Sequence, residues 1–437
     1  MSELAVSTTE IPGLLVVDLP VHGDARGWFK ENWQRTKMIA LGLPDFEPVQ
    51  QNVSYNATAG TTRGIHAEPW DKLVSVTTGR VFGAWVDLRQ GDTFGQVVTV
   101  EIGPERAVFV PRGVGNAYQT LDDGTAYVYL VNEHWSPDAA YTFVNLRDET
   151  VAVPWPLEPT EVSDKDRDAP ALSDVVPIPP LRTVVLGGDG QLGRALRAAL
   201  PDATFLTRAD VDLTDPAAVE ALDWAGVDTI INAAAFTAVD AAETDRATAW
   251  AVNVDATAAL ARAAIAHRLT LVTISSDYVF DGVAEVHAVD EPVAPLGVYG
   301  ATKAAAEAVT STVPRHYVVR TTWVVGEGAN FVATMQLLAR NGVSPAVVDD
   351  QHGRLTTADE LAAGILDLIR TRAPYGIHHV TGRGPVESWF DVAQRVFADE
   401  GRAASDVTAT TTEAYEATQR EAGRTVAPRP RHSALEL

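Results

Sequence analysis

The stretch TVVLGGDGQLGRAL, Thr183 to Leu196, decides how the rest of the chain is read. The β-branched run Thr183-Val184-Val185-Leu186 predicts a buried parallel strand. Gly187, Gly190 and Gly193 then recur at three-residue spacing, and Gln191-Leu192-Gly193-Arg194 opens a helix. Gly187 permits a tight turn, Gly190 lets a pyrophosphate approach the backbone, and Gly193 lets helix pack on strand. The helix N-terminus adds unpaired N–H groups and a positive dipole end. Taken alone, the spacing fits either a dinucleotide site or a plain glycine-rich turn. A first strand this late in the chain leaves room for a whole domain in front of it.

Composition bounds the classes. A chain of 437 residues suggests two or three domains. The formal charge of −24 argues against nucleic acid as a partner, because phosphate backbones are bound by basic surface. With no cysteine there is no disulfide framework, thiolate metal site or cysteine nucleophile. The N-terminal MSELAVSTTEIPG lacks a basic region followed by an apolar core, and no apolar run is long enough to span a bilayer. The expected setting is cytoplasmic, with no membrane partner.

Before residue 155 the chain reads as β. Strand-like runs occur at Leu14–Val17, Lys72–Val76, Val81–Val86, Val97–Val100, Ala107–Val110 and Ala126–Leu130, with Gly79-Arg80, Gly91-Asp92 and Asp122-Asp123-Gly124 as turns. That spacing predicts a sandwich or jelly roll. Leu157 to Leu181, rich in proline and charge, reads as a domain-closing tail and linker. Strands then alternate with helices: Ala203–Leu206, Thr229–Asn232 and Thr270–Ile274 are strand-like, and Ala247–Ala266 is helical. The alternation predicts a doubly wound parallel sheet, with a smaller lobe beyond Arg320 and a poorly ordered end at Pro428–Leu437. The expected organisation is an all-β domain over 1–175, a linker at 176–181 and an α/β Rossmann fold over 182–437.

In the second half, Ser276 stands at a strand end, and Tyr299 and Lys303 lie one helical turn apart. Reducing a ketone needs a hydride and a proton. Tyrosine, with a pKa of about 10, is a reluctant donor, and a nearby ammonium is expected to lower that value. Here the half beginning at 182 resembles the dTDP-4-dehydrorhamnose reductases, extended short-chain dehydrogenases. The matching pieces are GGDGQLG (187–193), DVDLTD (210–215), INAAAFTAVD (231–240), SDYVFDG (276–282), YGATK (299–303), RTTW (320–323) and DQHGRLT (350–356). The resemblance implies that Ser276, Tyr299 and Lys303 are catalytic. It implies that Gly187, Gly190, Gln191, Leu192, Gly193, Asp212, Leu213, Ala234 and Ala235, with Tyr299 and Lys303, line a nicotinamide cofactor, and that Val239, Asp277 and Trp323 touch the sugar. Arg208, just past the second strand with no acidic residue directly there, leans toward NADPH over NADH; a merely solvated arginine is the other reading.

In the first half the histidines are His22, His66 and His134, too scattered for a metal-binding jelly roll, so no metal is expected. His66 on its own reads equally as a structural histidine. This half resembles the cupin-type dTDP-4-dehydrorhamnose 3,5-epimerases through DARGWFKE (24–31), VQQNVS (49–54), RGIH (63–66), KLV (72–74), VDLR (86–89), TFG (93–95), VPRG (110–113) and Asp148 ahead of PWP (154–156). The resemblance implies His66 as base, Asp148 as its carboxylate partner, Tyr129 as acid on the opposite sugar face and Lys72 steadying the enolate oxygen. Arg26, Gln50, Asn52 and Arg63 would hold the nucleotide sugar. Three departures stand out: Asn116 replaces a histidine, the loop from His66 to Lys72 is short, and Ala67-Glu68 replaces an aromatic–glutamine pair.

The resemblances together imply a bifunctional enzyme that epimerises dTDP-4-dehydro-6-deoxyglucose at C3 and C5 and then reduces the C4 ketone to dTDP-L-rhamnose, as a homodimer through the cupin. Two alternatives stay open: a reductase whose altered cupin only binds or dimerises, and a pair of domains acting on another nucleotide sugar.

Overall fold

A computed structural model describes residues 3–136 and 139–437, and the chain divides into two compact units, Met1–Pro180 and Leu181–Leu437. In the first unit two antiparallel sheets pack face to face. One carries six strands in the order Ala5–Thr8, Leu15–Asp18, Arg106–Val110, Lys72–Thr78, Thr125–Val131 and Gln50–Asn56; the other carries five, Thr142–Phe143, Thr62–Ala67, Val114–Thr120, Val81–Asp87 and Val97–Ile102. Val74, Val108 and Tyr127 of the first interdigitate with Trp85, Val114 and Tyr118 of the second, as alternating inward residues of a sandwich do. The expected runs fall on strands, with ends shifted by one or two residues.

The five-stranded sheet is apolar on its outer face as well. Ile65, Ala84, Val86 and Ala117 pack there against Val144, Leu146, Val151 and Leu172. The proline- and charge-rich tail is therefore a cover, with Val162, Val175 and Ile178 packed on the same cluster. Ile178 even extends the sheet hydrogen bonding, donating to the Leu88 carbonyl and accepting from Gln90 N–H, each at 2.8 Å. A hairpin of His22–Asp24 and Gly27–Phe29 stands exposed along its length.

The second unit holds a six-stranded parallel sheet in the order Thr204–Leu206, Arg182–Leu186, Val227–Asn232, Thr270–Ile274, His316–Arg320 and Gly376–His379. Strand order reverses between Arg182–Leu186 and Val227–Asn232, which opens a crevice beyond their carboxyl ends. A smaller lobe is built on Phe331–Arg340 and Trp389–Asp399, packed through Met335, Val347, Val392 and Phe397. No helix among the described residues is long and apolar enough to cross a membrane.

Two expectations need correction. The helix expected over 247–266 contains a π-helical turn at Ala251–Asp255 between Arg246–Trp250 and Ala256–His267. The end of the chain is packed rather than poorly ordered: Ala434–Leu435 pairs in parallel with Val286–His287, and Ala427, Ser433, Ala434 and Leu435 are buried. Its short apolar runs seal the region of the Ser276–Gly282 motif, where Gly282 packs against Pro430 and Arg431.

Candidate active sites

A cavity of about 500 Å³ lies between the two sheets of the first unit. His66 and Asn116 reach it from the five-stranded sheet, Lys72 and Tyr129 from the six-stranded one, so the histidine and the tyrosine occupy opposite walls. His66 Nε2 lies 2.6 Å from Asp166 Oδ1, and the ring edge rests on Phe143 at 5.0 Å between centroids. With Nε2–H given to the carboxylate, the lone pair sits on Nδ1, the atom left to take a proton. Against the opposing effect of burial, Asp166 is held below the usual carboxylate range by His66, the Gly64 N–H and the Ser163 hydroxyl. Burial, reinforced by the Glu68 charge, pushes the Tyr129 phenol up to about 12, which suits a group that must keep its proton until it is used.

Asp148 is not the partner of His66. Its Oδ1 accepts from the N–H groups of Thr150 and Val151 at 2.8 and 2.9 Å, and its Oδ2 from that of Leu172 at 2.8 Å. It fastens a turn to the covering tail. The partner comes instead from Asp164–Arg167, a single helical turn whose Ser163 cap accepts from Asp166 N–H. The sequence does signal this turn: Ser163 followed three residues later by Asp166 is a helix-start pattern.

The expected sugar-nucleotide residues divide. Arg63 lines the cavity, its Nε donating to Asn56 at 3.1 Å. Gln50 and Asn52 are bonded to each other at 2.9 Å on the edge strand Gln50–Asn56. Arg26 is away from its own cavity, paired with Asp24 on the exposed hairpin. Asn116 has a physical account. Its Oδ1 accepts from Trp85 Nε1 at 3.0 Å and Tyr127 Oη at 2.9 Å, and one ring nitrogen of a histidine could not serve both donors.

In the second unit Ser276 follows the strand Thr270–Ile274, and Tyr299 and Lys303 lie on the helix Val298–Thr310. Ser276 Oγ donates to Asp277 Oδ1 at 2.8 Å and accepts from Tyr278 N–H at 3.2 Å. Asp277 is buried, its Oδ1 holding the serine hydroxyl while Oδ2 has no partner, and burial pushes it up to about 6. Contrary to expectation, the Tyr299 phenol is held above its ordinary value. Burial disfavours the phenolate, the Asp277 charge adds to that, and only the Ser276 hydroxyl opposes it. Burial also brings Lys303 down to about 8, and Glu307 one turn on partly offsets this. Glu307 in turn holds Arg320 at 2.8 and 3.0 Å.

The crevice fits a dinucleotide. Gly187 has φ +78°, and a Cβ there would meet Ala234 N at 2.7 Å. Gly190 caps the helix Gln191–Ala199, leaving its first N–H groups toward the turn. Gln191 donates to Ala329 at 3.0 Å while its own Oε1 is buried without a partner, an acceptor left for a ligand. Ala234 and Ala235 follow the third strand, and Leu192 and Leu213 pack beneath the crevice. Asp212 accepts from Thr214 N–H and hydroxyl at 2.9 and 2.7 Å, and Arg208 is exposed beside it. Val239 begins the helix Val239–Ala242. Trp323, at φ +44°, stacks on Trp389 at 3.6 Å and lies against Gly353.

Sequence reasoning missed several positioning groups. Asn253, within the π-helical turn, accepts from Phe236 N–H at 2.8 Å and donates to Thr302 at 2.9 Å, which ties the loop after the third strand to the helix Val298–Thr310. Arg429 holds Asp240 at 2.8 and 3.0 Å from the chain's end.

Two family models match the chain. One, described as RmlD substrate binding domain, matches residues 181–437; the other, dTDP-4-dehydrorhamnose 3,5-epimerase, matches residues 8–174. The Protein RmlC homolog of Streptococcus pyogenes is 50% identical over 179 residues, 39% of this chain and 90% of its own length. The dTDP-4-dehydrorhamnose reductase of Aggregatibacter actinomycetemcomitans is 37% identical over 276 residues, 59% of this chain and 90% of its own. The crystal structure of the dTDP-4-dehydrorhamnose reductase of Bacillus anthracis in complex with NADP is 31% identical, with a TM-score of 0.54, covering 59% of this chain and 90% of that one.

Proposed function

We propose, from the premise that the chain belongs over residues 181–437 to the RmlD family and over residues 8–174 to the dTDP-4-dehydrorhamnose 3,5-epimerase family, that one polypeptide performs two successive steps on a dTDP-sugar. The first unit inverts C3 and C5 of dTDP-4-dehydro-6-deoxyglucose, and the second reduces the C4 ketone to give dTDP-L-rhamnose. The observation that carries the reading is the pair His66–Asp166 facing Tyr129 and Lys72 across one cavity. Protons on C3 and C5 are both α to the ketone. His66 Nδ1 removes one, Asp166 stabilises the imidazolium, Lys72 faces the enolate oxygen, and Tyr129 returns a proton to the opposite face.

In the second unit the bound nicotinamide supplies the hydride. Tyr299 gives its proton to the carbonyl oxygen, Ser276 orients that oxygen, and the Lys303 charge favours the phenolate as the proton leaves. The exposed Arg208 supports a preference for NADPH through its 2′-phosphate. A homodimer through the first unit belongs to the same proposal. The exposed hairpin and the edge strand Gln50–Asn56, with Val53 and Tyr55 outward, are surfaces that pairing would cover. So does a cytoplasmic setting, since a chain without cysteine needs no oxidising compartment. The test is solvent deuterium incorporation at C3 and C5 without nicotinamide, followed by NADPH oxidation and identification of the sugar. Absence of exchange with intact reduction would leave only the reductase.

A further inference from the structure

Glu68 lines the epimerase cavity and has no task in the mechanism above. Its Oε2 accepts the Trp70 indole N–H at 2.6 Å and faces the Lys72 ammonium, also at 2.6 Å. The two charged side chains are only 13% and 4% exposed. An ammonium so far from water is strongly disfavoured unless a carboxylate compensates it. An amide at position 68 would supply no such charge. Lysine also has a long flexible stem, and the cavity offers it other carboxylates in Glu161 and Asp166. A Lys72 drawn to Asp166 would compete with His66 for its partner.

We propose that Glu68 is a positioning residue of the epimerase centre: its carboxylate, fixed by Trp70, aims the Lys72 ammonium at the substrate's carbonyl oxygen and away from the His66–Asp166 pair. The proposal rests on the epimerase reading. Geometry favours it on both sides of the contact. Lys72 opens the strand Lys72–Thr78, where its main chain is paired on both edges, so only the side chain needs directing. Its Nζ lies 5.9 Å from the centre of the Tyr129 ring, so the group that faces the enolate oxygen stands beside the one that reprotonates the carbon. The Glu68 charge also helps keep the Tyr129 phenol protonated. The other charged or titratable groups facing this region are Arg63, His66, Glu161, Lys165 and Asp166, with Tyr118 and Tyr127 on the walls and Tyr141 against Trp70.

The test uses the full chain. Deuterium exchange at C3 and C5 is measured for wild type, Glu68→Gln, Lys72→Gln and the double variant, with dTDP binding by calorimetry reporting the folded cavity. Glu68→Gln is expected to bind dTDP as wild type does and to hold KM within a factor of about three, while kcat falls roughly 10- to 100-fold, the scale of a misplaced group. Its alkaline limb should move to lower pH. Adding Glu68→Gln to Lys72→Gln should cause no further loss. An unchanged kcat, a multiplicative loss in the double variant, or loss of dTDP binding in Glu68→Gln, which would make the residue structural, overturns the proposal. Absence of exchange in wild type would instead defeat the epimerase reading itself.

Discussion

Two aspartates, 166 and 148, should respond to the same substitution in opposite ways. Asp166→Asn keeps shape and removes the charge 2.6 Å from His66 Nε2. A hydrogen bond to a charged group is worth about 1.5–3 kcal/mol, and the carboxylate also stabilises the imidazolium formed as His66 takes a proton, up to about 4 kcal/mol near a protein surface. A loss of about 2–4 kcal/mol in the transition state lowers kcat roughly 30- to 1000-fold. Deuterium exchange at C3 and C5 measures it, and both positions should fall together because one base serves both. Asp148→Asn leaves the cavity alone and weakens three bonds to main-chain N–H groups. Discounted for contact with water, that costs about 1 kcal/mol and lowers Tm by roughly 2–4 °C. The Asp166 carboxyl is held low in the folded protein, so its stabilisation is fully present above about pH 3.9 and is lost as the pH falls through the folded value. Wild-type exchange in Asp166→Asn, or lost exchange in a folded Asp148→Asn, would refute the assignment.

Tyr299→Phe should abolish reduction, read as NADPH oxidation, and leave exchange at C3 and C5 intact; equal loss of both in a folded protein would defeat the two-site reading. Reductase activity should decline above about pH 8 as Lys303 gives up its proton, and Glu307→Gln should move that limb lower by removing the carboxylate that offsets burial. Arg208→Ala should raise KM for NADPH several-fold with kcat unchanged at saturation. Gly353→Ala should raise the reductase KM for the sugar nucleotide, since its Cβ would fall 2.5 Å from Trp323 Cε2, with epimerisation as the unaffected control.

Periodicity made the architecture legible where burial is one-sided. Val97–Ile102 and Arg106–Val110 read as strands because their side chains alternate between core and surface or lie wholly in it. Gln50–Asn56 did not, because its inward residues Gln50, Asn52, Ser54 and Asn56 are polar, and Val114–Thr120 did not, because Gly115, Asn116, Gln119 and Thr120 break up its apolar pattern. His66, Lys72 and Tyr129 were legible through motif resemblance, and Asp166 was missed because charge and proline made its segment look like linker. Composition reports how much apolar surface a stretch owns, and the tail covers a sheet with a few well-spaced residues, Val162, Leu172, Val175 and Ile178. The direction of the Tyr299 shift was misjudged for a related reason: helical spacing places Lys303 near, but burial and a buried aspartate are set by distant parts of the chain.

The last main-chain bond of the first unit is made by Ile178 N–H and the first of the second by Arg182 N–H, to Gly226. Pro179, Pro180 and Leu181 are thus the window in which the polypeptide can be divided without unpicking either half. A gene split or protease site placed there would yield two separate catalysts. A cut made earlier, at the end of the last long strand, would discard Asp166 and one wall of the cavity, and leave a β-sandwich whose His66 has lost its carboxylate partner.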